Sequence, residues 1–456
     1  MAGKEHVVST EKSHLGISVA REAGERSSCV TKKAQTDGTI PITQTTREAR
    51  LEIKYYEPRV LSLGPIHHDN KPEYKKQEKY KLALTCYYIE DSGKDIEVLY
   101  KMIEEKIKEL RDCFEEEVTK LYDDNALAWL LFVDGCAILQ YIYFATNKLF
   151  KDLGINDILV GYGYQDFFLL ENQLPYCLLE GLMSLSDNEK KLKASIDKFI
   201  KMHVMVPEDQ QLKKQVKGNQ GDSLLPEENP QGEHRLPING VVIHLLDLLR
   251  TSLLGEPNED SYIIQNRRSN WQSYGSAQEL KTAGIHLRRS SNSCLREISF
   301  KPRLHLLRNL YLPPITVNNA MRTKLLNLIA YEMCLGFEND FEITFYICFL
   351  QSLIGKPEDV KELRKAGVFY NFFGSDKEVA KLFKEMPTDL NSYSDSYIGV
   401  EKKIQEYYGT WMSRMSRFYH DNFKGILISL LALVVGVIGV ILSRIPTVNP
   451  ASQRHS

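Results

Sequence analysis

The sequence predicts a mainly α-helical protein: a multi-helix globular region with a few short strands, followed by one C-terminal transmembrane helix. Three observations carry this reading. Apolar residues recur at steps of three and four through most of the patterned sequence. Strand-like stretches are short and few. Near the end, GILISLLALVVGVIGVILS runs from Gly425 to Ser443, 19 residues without a charge. At 1.5 Å per residue it is about 28 Å long, close to the hydrocarbon thickness of a bilayer.

Residues 1–48 are rich in Ser, Thr, Lys, Glu and Gly, with too few large apolar side chains to offset chain entropy, and are expected to be a disordered tail. Residues 49–217 form the N-terminal helical part. It opens with YYEPRVLSLGPIHH, where Pro58 and the Gly64-Pro65 turn predict an extended segment and a loop. Helices are expected from Tyr74 to Ile89 and from Lys101 to Tyr122, the latter carrying Ile103, Ile107, Leu110, Phe114, Val118 and Leu121 on one stripe. Trp129 to Thr146 is apolar on most faces and reads as a central core helix. Near Asn172 another helix begins, with Pro175 in its first turn.

Residues 218–237, dense in Gly, Pro and Glu, read as a loop or linker. Residues 238–424 make the C-terminal part and the juxtamembrane segment. VVIHLLDLLRTSLL is a helix, Gly255 to Tyr274 is irregular, and Ser276-x-x-Glu279 is a capping box. The short helix it opens stops at Gly284, before the strand IHLRRS. Met321 to Phe341 and Phe345 to Leu353 are helical, and Ser375-x-x-Glu378 caps one more helix. The transmembrane helix spans 425–443 and a short tail covers 444–456.

Lys and Arg number 58 against 60 Asp and Glu, a net charge of −2, so no overall field gathers nucleic acid. The eight cysteines show no C-x-x-C spacing and most sit in apolar runs, which reads as buried free thiols in a reducing compartment. The N-terminus lacks the basic start and apolar core of a signal peptide. A tail-anchored, single-pass protein is therefore expected, its bulk cytosolic, in the plasma membrane or an endomembrane. Trp411, Phe418 and Tyr419 suit an interfacial belt. Ala432 and Gly436 form a small-xxx-small pair through which two spans could pack as a homodimer.

Several polar clusters invite a chemical reading. His67 and His68 adjoin on an extended segment, so their side chains point to opposite faces and do not chelate one ion. Cys136, in Asp134-Gly135-Cys136, sits in an apolar helix where a thiol is inert. Glu171, Asn172 and Gln173 form the candidate polar cluster, at a helix start where such side chains cap orphan amides. Gly161-Tyr162-Gly163 reads as a turn. No H-E-x-x-H, G-x-S-x-G or P-loop occurs. No catalytic, cofactor or metal role is assigned; the alternative is a hydrolase or transferase of unfamiliar design that gathers Asp134, Glu171 and His67.

The blocks EPRVLSLGPIHH, VDGCAILQ, DFFLLENQLPYCLLE, HLLDLLRTSLL, AQELKTAGI, LLNLIAYEMC and FFGSDKEVAKLF, with the terminal apolar span, resemble the plant DUF247 family, also called UPF0481. The resemblance covers Leu51 to Ser443 in the family's order. It implies a plant-specific, single-pass membrane protein without an established enzymatic activity; some grass members are associated with self-incompatibility loci in pollen. The chain departs from the pattern before LLNLIAYEMC, where Asn318, Asn319 and Arg322 replace acidic residues, and Ser299 to Leu312 is unusually basic. The expectation is a non-catalytic module at a membrane that recognises a protein partner.

Overall fold

The computed structural model describes residues 55–68, 72–151, 157–204, 242–255, 275–291, 293–304, 307–334, 341–386 and 395–443. The predicted tail at 1–48, the linker at 218–237 and the end at 444–456 lie outside them. The described chain is mainly helical with a few short strands, as the periodicity indicates.

Helix α4 (Asp124–Asn147) forms the centre of the N-terminal part. It is apolar all round and buried nearly throughout, as a helix with no polar face must be. The Asp123 side chain accepts from the Ala126 amide at 2.7 Å to start it, and Lys148 closes it in the left-handed region at φ 61°. Around it pack α1 (Pro72–Ser92), α2 (Ile96–Arg111), α6 (Tyr176–Leu185) and α7 (Glu189–His203). The approach of α6 is close at Gly135, where a Cβ would stand 2.7 Å from Leu182 Cδ1. Any larger residue would force the two helices apart.

The helix expected from Lys101 to Tyr122 is broken. α2 ends at Arg111, the chain turns through Cys113 and Phe114, and a single turn, α3 (Glu116–Thr119), follows. The Arg111 guanidinium fastens this corner, donating to the carbonyls of Thr119 at 2.8 Å and Tyr122 at 3.1 Å. Leu121, placed on the apolar stripe by periodicity, is consequently 51% exposed. Gly161 and Gly163 also differ from expectation. They lie inside α5 (Asp157–Asp166), not in a turn, and a Cβ at Gly163 would overlap the Tyr141 hydroxyl.

Past the undescribed 205–241 come α8 (Leu245–Leu254) and α9 (Ala277–Thr282). α9 opens with the predicted capping box, in which the Ser276 amide donates to Glu279 at 2.8 Å. β1 (Ile285–Arg289), β2 (Ser299–Leu304) and β3 (Leu307–Leu312) form a three-stranded sheet in the order β1-β3-β2, with β1 parallel and β2 antiparallel to β3. β4 (Ile315–Val317) pairs in parallel with β5 (Phe369–Asn371). Helices α10 (Asn319–Glu332), α11 (Glu342–Leu353), α12 (Pro357–Lys365) and α13 (Asp376–Lys384) complete this part. One hydrophobic cluster runs from Leu61 through α4 to Ile404, joining residues on both sides of 218–237.

The last helix, α14 (Asp395–Ser443), packs its first half on β2. Among the described residues the one helix long and apolar enough to cross a membrane is α4, which is a buried core helix and not C-terminal. The predicted span at 425–443 differs in this respect. Its described apolar stretch is Ile428–Ile441, about 21 Å of helix. These side chains do stand exposed, Leu431 at 66% and Val435 at 62%.

The cysteines also correct the sequence reading. Cys136 is buried, but Cys86, Cys113, Cys177 and Cys334 are exposed, because each occupies the outer edge of a helix or a helix end. All described cysteines are free thiols, as expected.

Candidate functional site

The segment predicted to be extended, residues 55–68, runs as a strap past the middle of α4 and the end of α5, with no strand partner for its amides among the described residues. Buried backbone N–H groups need acceptors, and here side chains supply them. Asp166, the last residue of α5, accepts from the amides of Arg59 at 3.0 Å, Val60 at 2.8 Å and Leu61 at 2.9 Å. Burial pushes its carboxyl up to about 6, opposed by those three N–H bonds. Asn172 accepts from Leu63 at 2.7 Å and donates to the carbonyls of Leu61 at 2.9 Å and Asp166 at 3.0 Å. Asp134, in the middle of α4, accepts from Gly64 at 2.8 Å.

Gly64 holds the strap's corner at φ 67°, a conformation that suits glycine, and a Cβ there would come within 3.3 Å of the Gln173 carbonyl. Beneath it lies Lys81 of α1, wholly buried. Its ammonium contacts Asp134 at 2.6 Å, Glu78 at 2.6 Å and the Ser62 carbonyl at 2.9 Å. Burial works against this charge, but the carboxylates of Asp134 and Glu78 outweigh it and hold Lys81 above the ordinary lysine range. The strap is thus closed by a charged network in which the Lys81 ammonium has three acceptors, although the Ser62 hydroxyl and His67 Nε2 beside it have no hydrogen-bond partner among the described residues.

Asn172 and Gln173 do satisfy backbone groups, but not at the start of α6, where they were expected to act. Asn172 serves the strap. The Gln173 amide donates to the carbonyls of Phe167 at 2.9 Å and Leu169 at 2.7 Å, and its oxygen accepts from Leu246 at 3.1 Å, so the helix it caps is α8. Pro175 stands at the N-cap of α6, just before the position expected. Glu171, whose side chain is 36% exposed, approaches the ring of His67 at 3.3 Å, within ion-pair distance but without hydrogen-bond alignment. His68 lies 4.0 Å from Glu78. The structure therefore brings Asp134, Glu171 and His67 to one strap, yet Asp134 is wholly buried with both oxygens engaged.

Sequence reasoning missed Lys81, Asp166, Asn327 and Glu332. Asn327 of α10 accepts from Leu170 at 2.8 Å and donates to Tyr55 at 2.8 Å, clamping the strap's start. Glu332 receives Arg250 at 2.9 Å together with the Ile343 and Thr344 amides at 3.0 and 2.9 Å. Asn327 and Glu332 are lone polar residues inside apolar runs, and that isolation was the available signal, whereas Lys81 follows the charged stretch KKQEKY and Asp166 follows Gln165, so neither stood out. Asn318 N-caps α10 by accepting from Met321 at 2.8 Å, and Arg322 stacks over Tyr55 at 4.7 Å. Among the described residues no cluster of His, Cys, Asp or Glu is arranged to hold a metal.

A groove of about 890 Å³ opens elsewhere, between the sheet and α14. Phe300, Tyr407 and Trp411 supply its aromatic wall, and Arg308, Lys403, Arg414 and the carboxylate of Glu406 its charge. Arg308 lies over the Tyr407 ring at 5.1 Å, and Phe300 meets the same ring at 6.0 Å. Ala432 and Gly436 lie farther along α14, exposed, with open space where a Cβ of Gly436 would stand.

Comparison with known proteins gives a consistent result. The family model for DUF247, described as a plant protein of unknown function, matches residues 42–442. UPF0481 protein At3g47200 of Arabidopsis thaliana is 27% identical over 403 residues, 82% of this chain and 78% of the relative. A putative UPF0481 protein, At3g02645, from the same plant is 21% identical over 441 residues, covering 79% and 81%. No solved structure matches.

Proposed function

The chain belongs to the DUF247 family of plant proteins, and from that premise we propose that it is a membrane-anchored, non-catalytic module that recognises a protein partner. One observation carries this reading. The polar side chains gathered at the strap, Asp134, Asp166, Asn172 and Gln173, are engaged with backbone groups or with Lys81, so the richest polar cluster maintains the fold. The open features, the groove beside α14 and the exposed stretch Ile428–Ile441, are surfaces suited to contact.

The anchoring part of the proposal rests on the exposed apolar side chains of Ile428–Ile441 and on their continuation in sequence across 425–443. Apolar helix surface left in water is unfavourable by roughly 25 cal/mol per Å². A bilayer covers it, and two spans packed through Ala432 and Gly436 would cover part of it. The association of some grass members of the family with self-incompatibility loci makes pollen recognition one context in which to seek the partner.

The hydrolase or transferase alternative has the His67–Glu171 approach in its favour. Against it, Asp134 has no exposure through which to meet a substrate. Both parts of the proposal are tested with the tagged full chain in plant tissue. It should resist carbonate extraction from membranes, lose that resistance when 425–443 is deleted, and retain a cross-linked protein partner after solubilisation. Extraction by carbonate, or turnover of a small molecule without a specific partner, overturns it.

A further inference from the structure

Two of the exposed thiols stand together. Cys113 follows the C-terminus of α2, and Cys177 lies in the first turn of α6, with the whole of α4 and α5 between them in sequence. The fold closes that separation. α2 and α6 pack on each other, closely enough that a Cβ at Gly181 would stand 2.9 Å from Met102 Sδ. At Gly64 a Cβ would meet Phe114 at 3.6 Å and Leu174 at 3.7 Å, so the corner after α2 and the residues leading into α6 press on the same point. There the Cys113 thiol comes within hydrogen-bond reach of the Cys177 sulfur. The other exposed thiols have different neighbours. Cys86 lies near Glu90, and Cys334 lies near Glu115 with its S–H donating to the Ala330 carbonyl at 3.5 Å.

The two sulfurs are not equivalent. The Cys113 S–H has two acceptors, the Glu109 carbonyl at 3.4 Å and the Cys177 sulfur. Partial burial, the neighbouring Cys177 and the carboxylates of Asp112 and Glu109 push the Cys113 thiol up to about 11, so it keeps its proton near neutral pH. Cys177 is left to supply the nucleophile, at a helix start where the backbone dipoles favour negative charge. Both side chains are open to solvent. A thiol that can attack and a second thiol in contact to resolve the product are what a two-electron oxidation to a disulfide needs.

We infer that Cys113 and Cys177 form a reversible disulfide in response to hydrogen peroxide, and that the bond locks the corner after α2 to the start of α6. The Cys177 thiolate attacks one peroxide oxygen. The O–O bond breaks, leaving a sulfenic acid and a hydroxide that takes up the proton Cys177 released and becomes water. Cys113 then attacks the sulfenic sulfur, so that the S–S bond forms and the S–O bond breaks. The departing hydroxide takes the Cys113 proton as a second water. Two electrons pass from the sulfurs to the peroxide, and a dithiol reductant returns them. In the reducing compartment expected from the sequence the resting pair is the dithiol, and the bond forms when peroxide rises. Once formed, it closes a loop around α4 and α5 in the unfolded chain, which makes unfolding less favourable. Because Phe114 and Leu174 both press on Gly64, the locked corner also bears on the strap. None of this depends on the reading of the chain as a recognition module.

The test treats the full chain in detergent micelles with hydrogen peroxide in slight excess and then blocks the remaining thiols with N-ethylmaleimide. Peptide mapping by mass spectrometry should show the Cys113 and Cys177 peptides joined, lighter by two hydrogens than the pair apart, and separated again by dithiothreitol. Oxidation should raise the urea midpoint of the parent and leave that of Cys113→Ser unchanged. In Cys113→Ser the reaction should stop at the Cys177 sulfenic acid, captured by dimedone. In Cys177→Ser dimedone should capture Cys113 no more than Cys86. Mapping of the parent needs no variant, so a substitution that fails to fold leaves the test standing. The inference is overturned if peroxide takes either sulfur to the sulfinic acid, joins it to another cysteine or another chain, or leaves the pair as thiols while Cys86 and Cys334 oxidise. A bond that forms without raising the midpoint overturns the lock.

Discussion

The strap and the sheet use the same kinds of side chain in opposite ways. Under the strap, Lys81, Asp134 and Glu78 are drawn together, and Asp134 and Asp166 hold backbone amides, so buried charge is matched at contacts of 2.6 to 3.0 Å. Across the sheet, Arg288, Lys301 and Arg303 are exposed and have no carboxylate partner among the described residues. Charge in a dry interior is costly unless paired, whereas in water an unpaired cation costs little and stays available. The contrast separates residues that maintain the fold from residues free to meet another molecule.

If the strap network is structural, breaking it should have the largest effect. Lys81→Met leaves Asp134 buried without its cation, a kind of change that costs about 3–5 kcal/mol. Lys81→Met combined with Asp134→Leu should cost less than the two single changes summed, because no lone charge remains. Denaturant unfolding of the full chain in micelles measures this, and a loss below about 1 kcal/mol for Lys81→Met would remove the network from its role. Asn172→Leu should come next. It strands the Leu63 amide and the Leu61 carbonyl, at about 1–3 kcal/mol for each group left without a partner.

The sequence made these two regions legible to different degrees. Helical period and caps are local, so α4, the capping boxes at Ser276 and Ser375, and the strand IHLRRS could be read directly. The strap's extended course followed from Pro58 and Gly64. Its fastenings did not, since Asp166 acts on residues more than 100 positions earlier and Asn327 on Tyr55, 272 positions away. Asn172 and Gln173 were recognised as servants of backbone groups, but the amides they serve belong to distant segments that no local pattern identifies. The break after Arg111 was hidden because the apolar period continues through it. The basic character of Ser299 to Leu312 was visible, whereas its unpaired state depends on which residues surround the folded sheet.

Lys324 lies between the two regions in kind: buried like Lys81, yet without a carboxylate partner among the described residues. Its ammonium donates to the His203 carbonyl at 3.1 Å and lies over the Phe168 ring at 5.4 Å. Burial pushes it from 10.5 down to about 7. Between those values the unfolded chain binds a proton that the folded chain does not, so stability should rise with pH across that window, by up to about 1.4 kcal/mol per pH unit. Lys324→Met should flatten this rise. Parallel melting curves from pH 7 to pH 10 provide the check, and an unchanged slope in the variant would show that Lys324 keeps its charge in the fold.

The smallest expected effect on stability is the one that most sharpens the comparison. Arg288→Gln or Arg303→Gln removes an exposed cation that has no ion-pair partner among the described residues and sits among like charges. Folding should change by no more than about 0.5 kcal/mol, and any change should be a gain, since repulsion across the face is relieved. Raising the salt concentration should erase that gain by screening the same repulsion in the parent. A clear loss of stability would mean that these arginines hold the sheet together and belong with Lys81 as parts of the fold. A neutral result or a salt-sensitive gain instead leaves Arg288 and Arg303 as cations kept at no structural benefit, free to meet another molecule.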